Sequence, residues 1–383
     1  MRRIRPHAPE NQLINILTFK NINVHLAITK CKRMGRRVVK AGVLKNVNDI
    51  QFLDVADPAL DAGDMLLRVK AATICGTDIR IYRGKKTAGV RYPSILGHEF
   101  AAEVVDNGGH RQFSCDQPIV VCPQFACGHC TYCIRGTENL CLNLRSMGYE
   151  VEGAFAEYVR IPKHAVESGN VFNMPEGLTY EEASLAEPLA CVMNGQSLVG
   201  VHRGDTVLIL GAGPIGLLHL ILARQSGALK IFVSEPNPIR REAALAAGAD
   251  HVIDPMNEDL NAHIMAATEG LGVDVAICAI GIPSLANDAI TLVRNQGRVS
   301  LFAGFSTGER ANIDVNAIHY KEVSVTGAFS LTRFHFANAL KLLSTQTAAF
   351  KALITHRYNL ATISDAIATA EQGHAIKVAI SGM

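Results

Sequence analysis

The sequence predicts an α/β protein made of a mostly antiparallel β domain and a doubly wound parallel sheet. Three observations lead there. From Val38 to Ile161, short runs alternate apolar and polar residues between Pro, Gly and Asp turns, the pattern of half-buried strands. At Thr206 the character changes. Thr206-Val207-Leu208-Ile209-Leu210 is continuously apolar, as a strand covered on both faces is, and it runs directly into Gly211-Ala212-Gly213-Pro214-Ile215-Gly216. From there to about residue 327, β-like and helix-like segments alternate. At 383 residues the chain exceeds one ordinary core, so two domains suit its length.

The composition, 48% hydrophobic and 19% charged, is that of a globular protein, and no apolar run nears the length of about 20 residues that a membrane-spanning helix needs. The net charge of +2 hides an asymmetry. Residues 1–38 carry nine Lys/Arg and one acid, Glu10, for a net +8, which leaves −6 for the remainder. The body therefore offers no basic face to nucleic acid. The tail is Arg-rich and acid-poor, as targeting peptides are, yet it lacks the Ser content and amphipathic period of a transit peptide and the apolar core of a secretory signal. Residues 1–37 read as a basic, poorly ordered extension, with Met34 resembling a natural start. Of ten cysteines, four cluster at metal-ligand spacing, which favours the reducing cytoplasm over a disulfide framework.

In chain order, strands are expected over Val38–Leu44, Ile50–Val55, Met65–Ala71, Ala101–Val105, Ile119–Val121 and Ala154–Ile161. Between them stand Ile74-Cys75-Gly76-Thr77-Asp78 and, twenty residues on, Gly97-His98-Glu99. A thiolate, an imidazole and a carboxylate in one cleft make a mixed Zn²⁺ site, and a mixed set with an open position is catalytic, since a substrate oxygen must reach the metal. The competing reading is a buried Cys, a satisfied His and a surface Glu. Next comes Cys127-x2-Cys130-x2-Cys133-x7-Cys141. Four soft thiolates this close can close the coordination sphere of one tetrahedral Zn²⁺, which clamps a loop and does no chemistry. An iron–sulfur cluster or disulfides are the alternatives, and His129, inside the run, is a bystander because four sulfurs saturate the metal. Residues 181–200 read as helical and carry Glu187-Pro188-Leu189 at a domain junction, where Glu187 alone would be an ordinary helix-start acid.

The second half carries a dinucleotide fingerprint: strand, G-x-G-x-x-G, a helical run Leu217–Gln225, and a second strand, Lys230–Ser234, ending at Glu235. Gly211 makes the turn, Gly213 lets the backbone approach a pyrophosphate and Gly216 lets helix pack on strand. The helix N-terminus, with Pro214 and Ile215, then faces the phosphates. Glu235 would bond the adenosine ribose hydroxyls and repel a 2′-phosphate, favouring NAD over NADP, while Arg240 and Arg241 are near enough to soften that preference. Further strands are expected at Asp250–Ile253, Val273–Ala279, Arg298–Ala303 and Val323–Thr326, with helices at Ser284–Val293 and Phe334–Leu343.

Taken together and in this order, these motifs resemble the zinc-dependent medium-chain dehydrogenase/reductase family, over roughly residues 38–383. The Glu-Pro-Leu element points to its polyol and threonine dehydrogenase branch. The resemblance implies a GroES-like catalytic zinc domain over 38–190 with a structural-zinc lobe at 122–145, a Rossmann NAD-binding domain over 191–327, and a segment, 328–383, that rejoins the first domain. It implies two Zn²⁺ per chain and NAD(H). Cys75 and His98 would be firm ligands of the catalytic zinc, and Glu99 and Glu187 would bind it directly or through water. Cys127, Cys130, Cys133 and Cys141 would hold the structural zinc. Thr77, Asp78 and Glu99 are the candidate catalytic residues. Thr77 would accept the alcohol proton, and Asp78 would bond the second nitrogen of His98 and fix its tautomer. The implied reaction passes a hydride from a secondary alcohol of a polyol, sugar acid or sugar phosphate to NAD⁺, with an L-threonine 3-dehydrogenase-like activity as the alternative. A non-catalytic NAD-binding relative would be expected to have lost Cys75, His98 or Thr77. A homotetramer or homodimer is implied, paired along the edge of the second sheet, for which Arg298–Phe305 is the candidate. No nucleic-acid or membrane partner is.

Some positions depart from the family pattern. Arg80 stands where many relatives have His and cannot relay a proton as a base. Gly327-Ala328-Phe329 is followed by Ser330 where sorbitol-type relatives have Arg, so a cofactor-binding role is assigned to Arg333. Arg80, Arg83, Lys85, Lys86 and Arg91 crowd the loop between Cys75 and His98. Such a loop binds a substrate phosphate or carboxylate, or is simply a solvated basic surface.

Overall fold

A computed structural model of the chain describes residues 38–306 and 308–383. The basic extension expected over 1–37 lies outside the described residues.

The first domain is built from short strands. β1 (Val38–Asn46) and β2 (Asp49–Ala56) form an antiparallel hairpin whose tight turn places Asn48 at φ +60°, a conformation Asn tolerates. β3 (Met65–Thr73) alternates buried and half-exposed positions and then buries Ala71, Ala72 and Thr73 consecutively. It leads into the helix Gly76–Tyr82. β4 (Ser94–Ile95) pairs with β1, and β5 (Glu99–Asp106) pairs antiparallel with β3, which sets Glu99 opposite Thr73. β6 (Pro118–Val121) continues the sheet, and the two-stranded ribbon of β7 (Gln124–Phe125) and β8 (Arg145–Ser146) flanks the cysteine lobe.

The strand expected over Ala154–Ile161 forms only as β9 (Tyr158–Ile161), on β3. The residues before it do other work. The amides of Gly153, Ala154 and Phe155 donate to the carbonyls of Ile95, Gly97 and Leu96 at 2.8–2.9 Å, bracing the loop that delivers His98. Only glycine permits this approach at 153, where a Cβ would lie 2.2 Å from the Leu96 oxygen. β10 (Val171–Asn173) closes this edge. The helical stretch expected over 181–200 is two helices, Tyr180–Ser184 and Ala186–Val199. The first starts with a reciprocal Thr179–Glu182 cap, and the second ends at Gly200, in the left-handed region at φ +70°.

The second sheet is wholly parallel. Its strands are β11 (Thr206–Leu210), β12 (Lys230–Ser234), β13 (His251–Ile253), β14 (Val273–Cys278), β15 (Val293–Leu301) and β16 (Ser324–Gly327), in the order β13-β12-β11-β14-β15-β16. That order reverses between β11 and β14, which opens the crevice at their carboxyl ends where doubly wound sheets bind ligands. The expected edge strand, Arg298–Phe305, is not the edge. Its strand is β15, covered by β16, because the short apolar run after residue 323 adds one more parallel strand outside it.

The chain then returns. The helix Arg333–Thr345 packs on Ala186–Val199, and β17 (Ile354–Tyr358) and β18 (Lys377–Ser381) enter the first domain, where β18 pairs antiparallel with β3. The last strand is thereby beside the strand that precedes Cys75.

Candidate active site

Cys75 is the N-cap of the helix Gly76–Tyr82, and its backbone N–H donates to Asp78 Oδ2 at 2.9 Å. That bond fixes the first turn and aims the other Asp78 oxygen at His98. Oδ1 lies 3.5 Å from His98 Nδ1, both side chains are buried, and neither atom has another partner among the described residues. A ring nitrogen oriented by a carboxylate in this way is what a metal-binding imidazole needs on its far side. The Cys75 sulfur, a His98 nitrogen and a Glu99 oxygen all lie within 4.8 Å of one another. Burial works against an imidazolium at His98, but Tyr149, Asp78 and Cys75 together raise its pKa well above the usual histidine value. The pocket therefore favours positive charge at this point, and a thiol, an imidazole and a carboxylate around it fit Zn²⁺. Thr77 is half-buried on the first helical turn, next to the ligand candidates.

Glu99 does more than the sequence suggested. It is fully buried, and the buried ammonium of Lys377 lies 2.8 Å from Oε1 and 2.6 Å from Oε2, while the Thr73 hydroxyl donates to Oε2. Burial alone would lower the Lys377 pKa, but the Glu99 charge outweighs it and the pKa is raised. Lys377 lies 278 residues from Glu99 in sequence and carries no motif. The one available signal was a lysine inside the apolar run Ile376–Ile380. Glu187 is buried nearby but outside the close three-residue set. Burial, reinforced by the Glu99 charge, pushes its pKa up to about 7, and Cys191 Sγ lies 3.5 Å from its Oε1. Tyr149 was also missed: its ring is tilted against His98, with centroids 5.5 Å apart.

The four sulfurs of Cys127, Cys130, Cys133 and Cys141 are free thiols within 4.8 Å of one another. Cys141 Sγ accepts the backbone N–H groups of Cys127 and Asn143 at 3.2 and 3.3 Å. Backbone N–H groups of Cys133 and Leu142 pull the Cys130 pKa down to about 6. Thiolates stabilised by amides at tetrahedral spacing fit a structural Zn²⁺. The His129 ring nitrogen Nδ1 instead engages the Cys127 carbonyl at 2.8 Å. Arg333, expected at the cofactor, is elsewhere. Its guanidinium and backbone N–H all bond Glu138, at 2.6–3.1 Å, tying the cysteine lobe to the helix Arg333–Thr345.

In the second domain, Gly211 has φ +97°, and a Cβ at Gly216 would lie 1.9 Å from the Gly211 oxygen. Gly213 caps the helix Pro214–Gln225, and a Cβ there would meet only the end of the Arg240 side chain within 4 Å among the described residues. Glu235 is buried, with Oε2 accepting the Ala212 N–H at 2.7 Å and Oε1 the Asn237 N–H at 2.9 Å, so it braces the glycine turn. Arg241 is consumed by the carbonyls of Glu235 and Pro236 and by Asp254. Arg240 is not: its buried Nε lacks a hydrogen-bond partner among the described residues, and its Nη1 would lie 3.9 Å from a Cβ at Gly213.

A thiol–imidazole–carboxylate cluster in one domain and a phosphate-ready helix terminus in the other define a metal-dependent, dinucleotide-linked oxidoreductase. Comparison with known proteins agrees. The alcohol dehydrogenase GroES-like domain matches residues 61–171 and the zinc-binding dehydrogenase domain matches 214–345. The chain is 36% identical to L-threonine 3-dehydrogenase of Pyrococcus abyssi over 85% of its length and 92% of that protein. It is 31% identical to sorbitol dehydrogenase of Bacillus subtilis over 87% and 94%. A Sinorhizobium meliloti 1021 protein solved with NADP bound superposes with a TM-score of 0.82 at 32% identity, covering 90% of this chain and 99% of that one. The chain belongs to the zinc-binding, medium-chain alcohol dehydrogenase family, whose members act on CH–OH donors. No helix among the described residues is long and apolar enough to cross a membrane.

Proposed function

We propose that the protein oxidises a secondary alcohol flanked by further polar groups, that of a polyol, sugar acid or sugar phosphate, to the ketone, with NAD⁺ as hydride acceptor. The observation that carries this is the convergence of Cys75, His98 and Glu99 beside the helix that bears Thr77 and Asp78. Zn²⁺ held there would polarise the alcohol oxygen. Asp78 holds the His98 ring in one orientation, and Lys377 and Thr73 hold Glu99 at the edge of the ligand set. The Thr77 hydroxyl accepts the alcohol proton as the ketone forms and passes its own proton on toward the cofactor ribose. Glu187, buried at the same site, is a carboxylate available to the metal directly or through water. Gly211, Gly213 and Gly216 with Pro214 and Ile215 receive the dinucleotide phosphates. Glu235 favours NAD, and Arg240, whose Nε has no hydrogen-bond partner among the described residues, allows measurable use of NADP. The four lobe thiols suit the reducing cytoplasm. A homo-oligomer paired along the β16 edge completes the reading, and light scattering would report its mass.

A second reading, oxidation of L-threonine at its 3-hydroxyl, is favoured by the 36% identity to a threonine 3-dehydrogenase. The test is initial-rate NAD⁺ reduction by zinc-loaded protein on sorbitol, gluconate, sugar phosphates and L-threonine, with NADP⁺ as the comparison. Turnover of L-threonine alone would replace the first reading with the second. No turnover by protein holding two zincs per chain would defeat both.

A further inference from the structure

The structure sorts the five cations of the loop between Cys75 and His98. Arg83 is exposed and forks onto Glu371, with Nη1 on Asn48 Oδ1 at 2.9 Å. Lys85 is exposed, and its charge acts on the same Glu371. Arg91 is exposed and lies 3.7 Å from Glu152, with a further bond to the Glu150 carbonyl. These three are ordinary solvated or paired surface charges.

Arg80 and Lys86 differ. Both are half-buried, and neither has a carboxylate within ion-pair distance among the described residues. Arg80 crosses to the second domain, donating to the carbonyls of Gly304 and Phe305 at 3.4 and 3.2 Å, beyond the carboxyl end of β15. Lys86 turns inward. Its ammonium sits 4.6 Å from the centroid of the Tyr149 ring, and the same ring packs on His98. The ammonium and an imidazole of the metal cluster therefore share one ring as a neighbour. The ammonium's single hydrogen bond among the described residues, to the Ala88 carbonyl, is long at 3.3 Å. Two other charges act on it. Glu150, whose Oε2 is held by the Ser146 N–H at 2.9 Å, acts on it the more strongly, and Arg80 adds positive potential against it. Burial lowers the Lys86 pKa, so the ammonium is incompletely solvated. A half-buried cation with an unused hydrogen-bonding capacity, beside a catalytic centre, is stabilised by an arriving anion.

We infer that Lys86, seated on Tyr149, is the anion-binding residue of the substrate pocket, so that the substrate is a secondary alcohol carrying a carboxylate or phosphate. This rests on the proposed dehydrogenase reading and narrows it, since a free polyol offers Lys86 no charge. Arg80, from the same stretch of the first domain, adds positive potential at Lys86.

The test compares substrate pairs that differ at one carbon, a carboxylate in one member and none in the other: gluconate with sorbitol, and L-threonine with L-threoninamide. Wild type, Lys86→Gln and Lys86→Arg are assayed as zinc-loaded full chains with NAD⁺. At the same time, binding of gluconate to each protein in the presence of NADH is measured by calorimetry at low and high salt. The expected result is a preference for the carboxylate-bearing member of a pair. Lys86→Gln lowers the ratio of its kcat/KM to that of the other member at least tenfold, mainly through KM, and Lys86→Arg keeps most of it. Gluconate binding weakens in parallel and loses its salt dependence. An unchanged ratio in Lys86→Gln, equal use of both members by wild type, or gluconate binding indifferent to Lys86→Gln overturns the assignment. If wild type turns over neither pair but its gluconate binding depends on Lys86, the anion site stands and the dehydrogenase reading fails.

Discussion

At the scale of single residues, the ion pair between Lys377 and Glu99 governs the site most directly. Both members are buried, so removing one leaves the other as an uncompensated charge. Lys377→Met should destabilise the protein by about 3–5 kcal/mol. Lys377→Met combined with Glu99→Gln should recover much of that loss, because no lone charge then remains in the core. Urea unfolding midpoints across the double-mutant cycle would check it, and equal losses in the single and double variants would contradict the pairing. Arg240 is the other residue with unspent capacity. Arg240→Ala should lower kcat/KM for NADP⁺ by tenfold or more relative to NAD⁺, since a 2′-phosphate needs a cation that the ribose hydroxyl does not. Steady-state kinetics with both cofactors reads this out. The ligand candidates were legible in the sequence because Cys, His and Glu at those spacings carry chemistry on their face. Lys377, Tyr149 and Thr73 were not, since a lysine, a tyrosine and a threonine acquire a role only from what lies opposite them.

At the scale of elements, the glycine turn between β11 and its helix is the most constrained. Gly216→Ala would drive a methyl into the Gly211 carbonyl, 1.9 Å away, and backbone there cannot yield without moving the helix N-terminus. The expected outcome is a loss of about 1–3 kcal/mol in stability and a rise of more than tenfold in the NADH dissociation constant, measured by thermal melts and NADH fluorescence. One turn later the same helix carries His219, fully buried against Phe302 with ring centroids 4.5 Å apart. Burial pushes its pKa down to about 3, from 6.5 in a solvated histidine. The unfolded chain therefore binds a proton as pH falls through 6.5, and the folded chain does not. Stability should fall between pH 6.5 and 3 by up to about 1.4 kcal/mol per pH unit from this group. His219→Leu should flatten that slope in urea titrations at a series of pH values. Element types were read from periodicity with small errors at their ends. The exception was Ala154–Phe155, where alternation suggested a strand and the backbone instead braces the loop before His98.

At the scale of the whole molecule, the two domains are not consecutive beads. After the helix Ala186–Val199 the chain builds the parallel sheet, and it then returns to lay β18 against β3. That return delivers Lys377 to Glu99. A chain ending at residue 353 would lack β17 and β18, expose the edge of β3 and leave Glu99 unpaired. It should lose the cooperative unfolding transition of the first domain and the zinc proposed at Cys75 and His98, while the four-cysteine lobe retains its own. Calorimetry with metal analysis would show this as a fall from two zincs per chain to one.

Local chemistry was written in the sequence. The four-cysteine spacing, the Gly211–Gly216 turn, the alternation of half-buried strands and the continuous run of a buried one follow from bonding and burial rules that act within about 30 residues. They determined the two-domain α/β class, the metal-ligand candidates and the cofactor type. The tertiary structure decided what depends on approach between distant segments. It made β16 the sheet edge in place of the strand at Arg298, turned Arg333 to Glu138, and separated Lys86 from the solvated cations of its own loop. The physical reason is that charge and burial are properties of a neighbourhood. Five basic residues along one loop are equivalent in sequence, and they become different only when folding surrounds some with carboxylates and leaves another facing an aromatic ring.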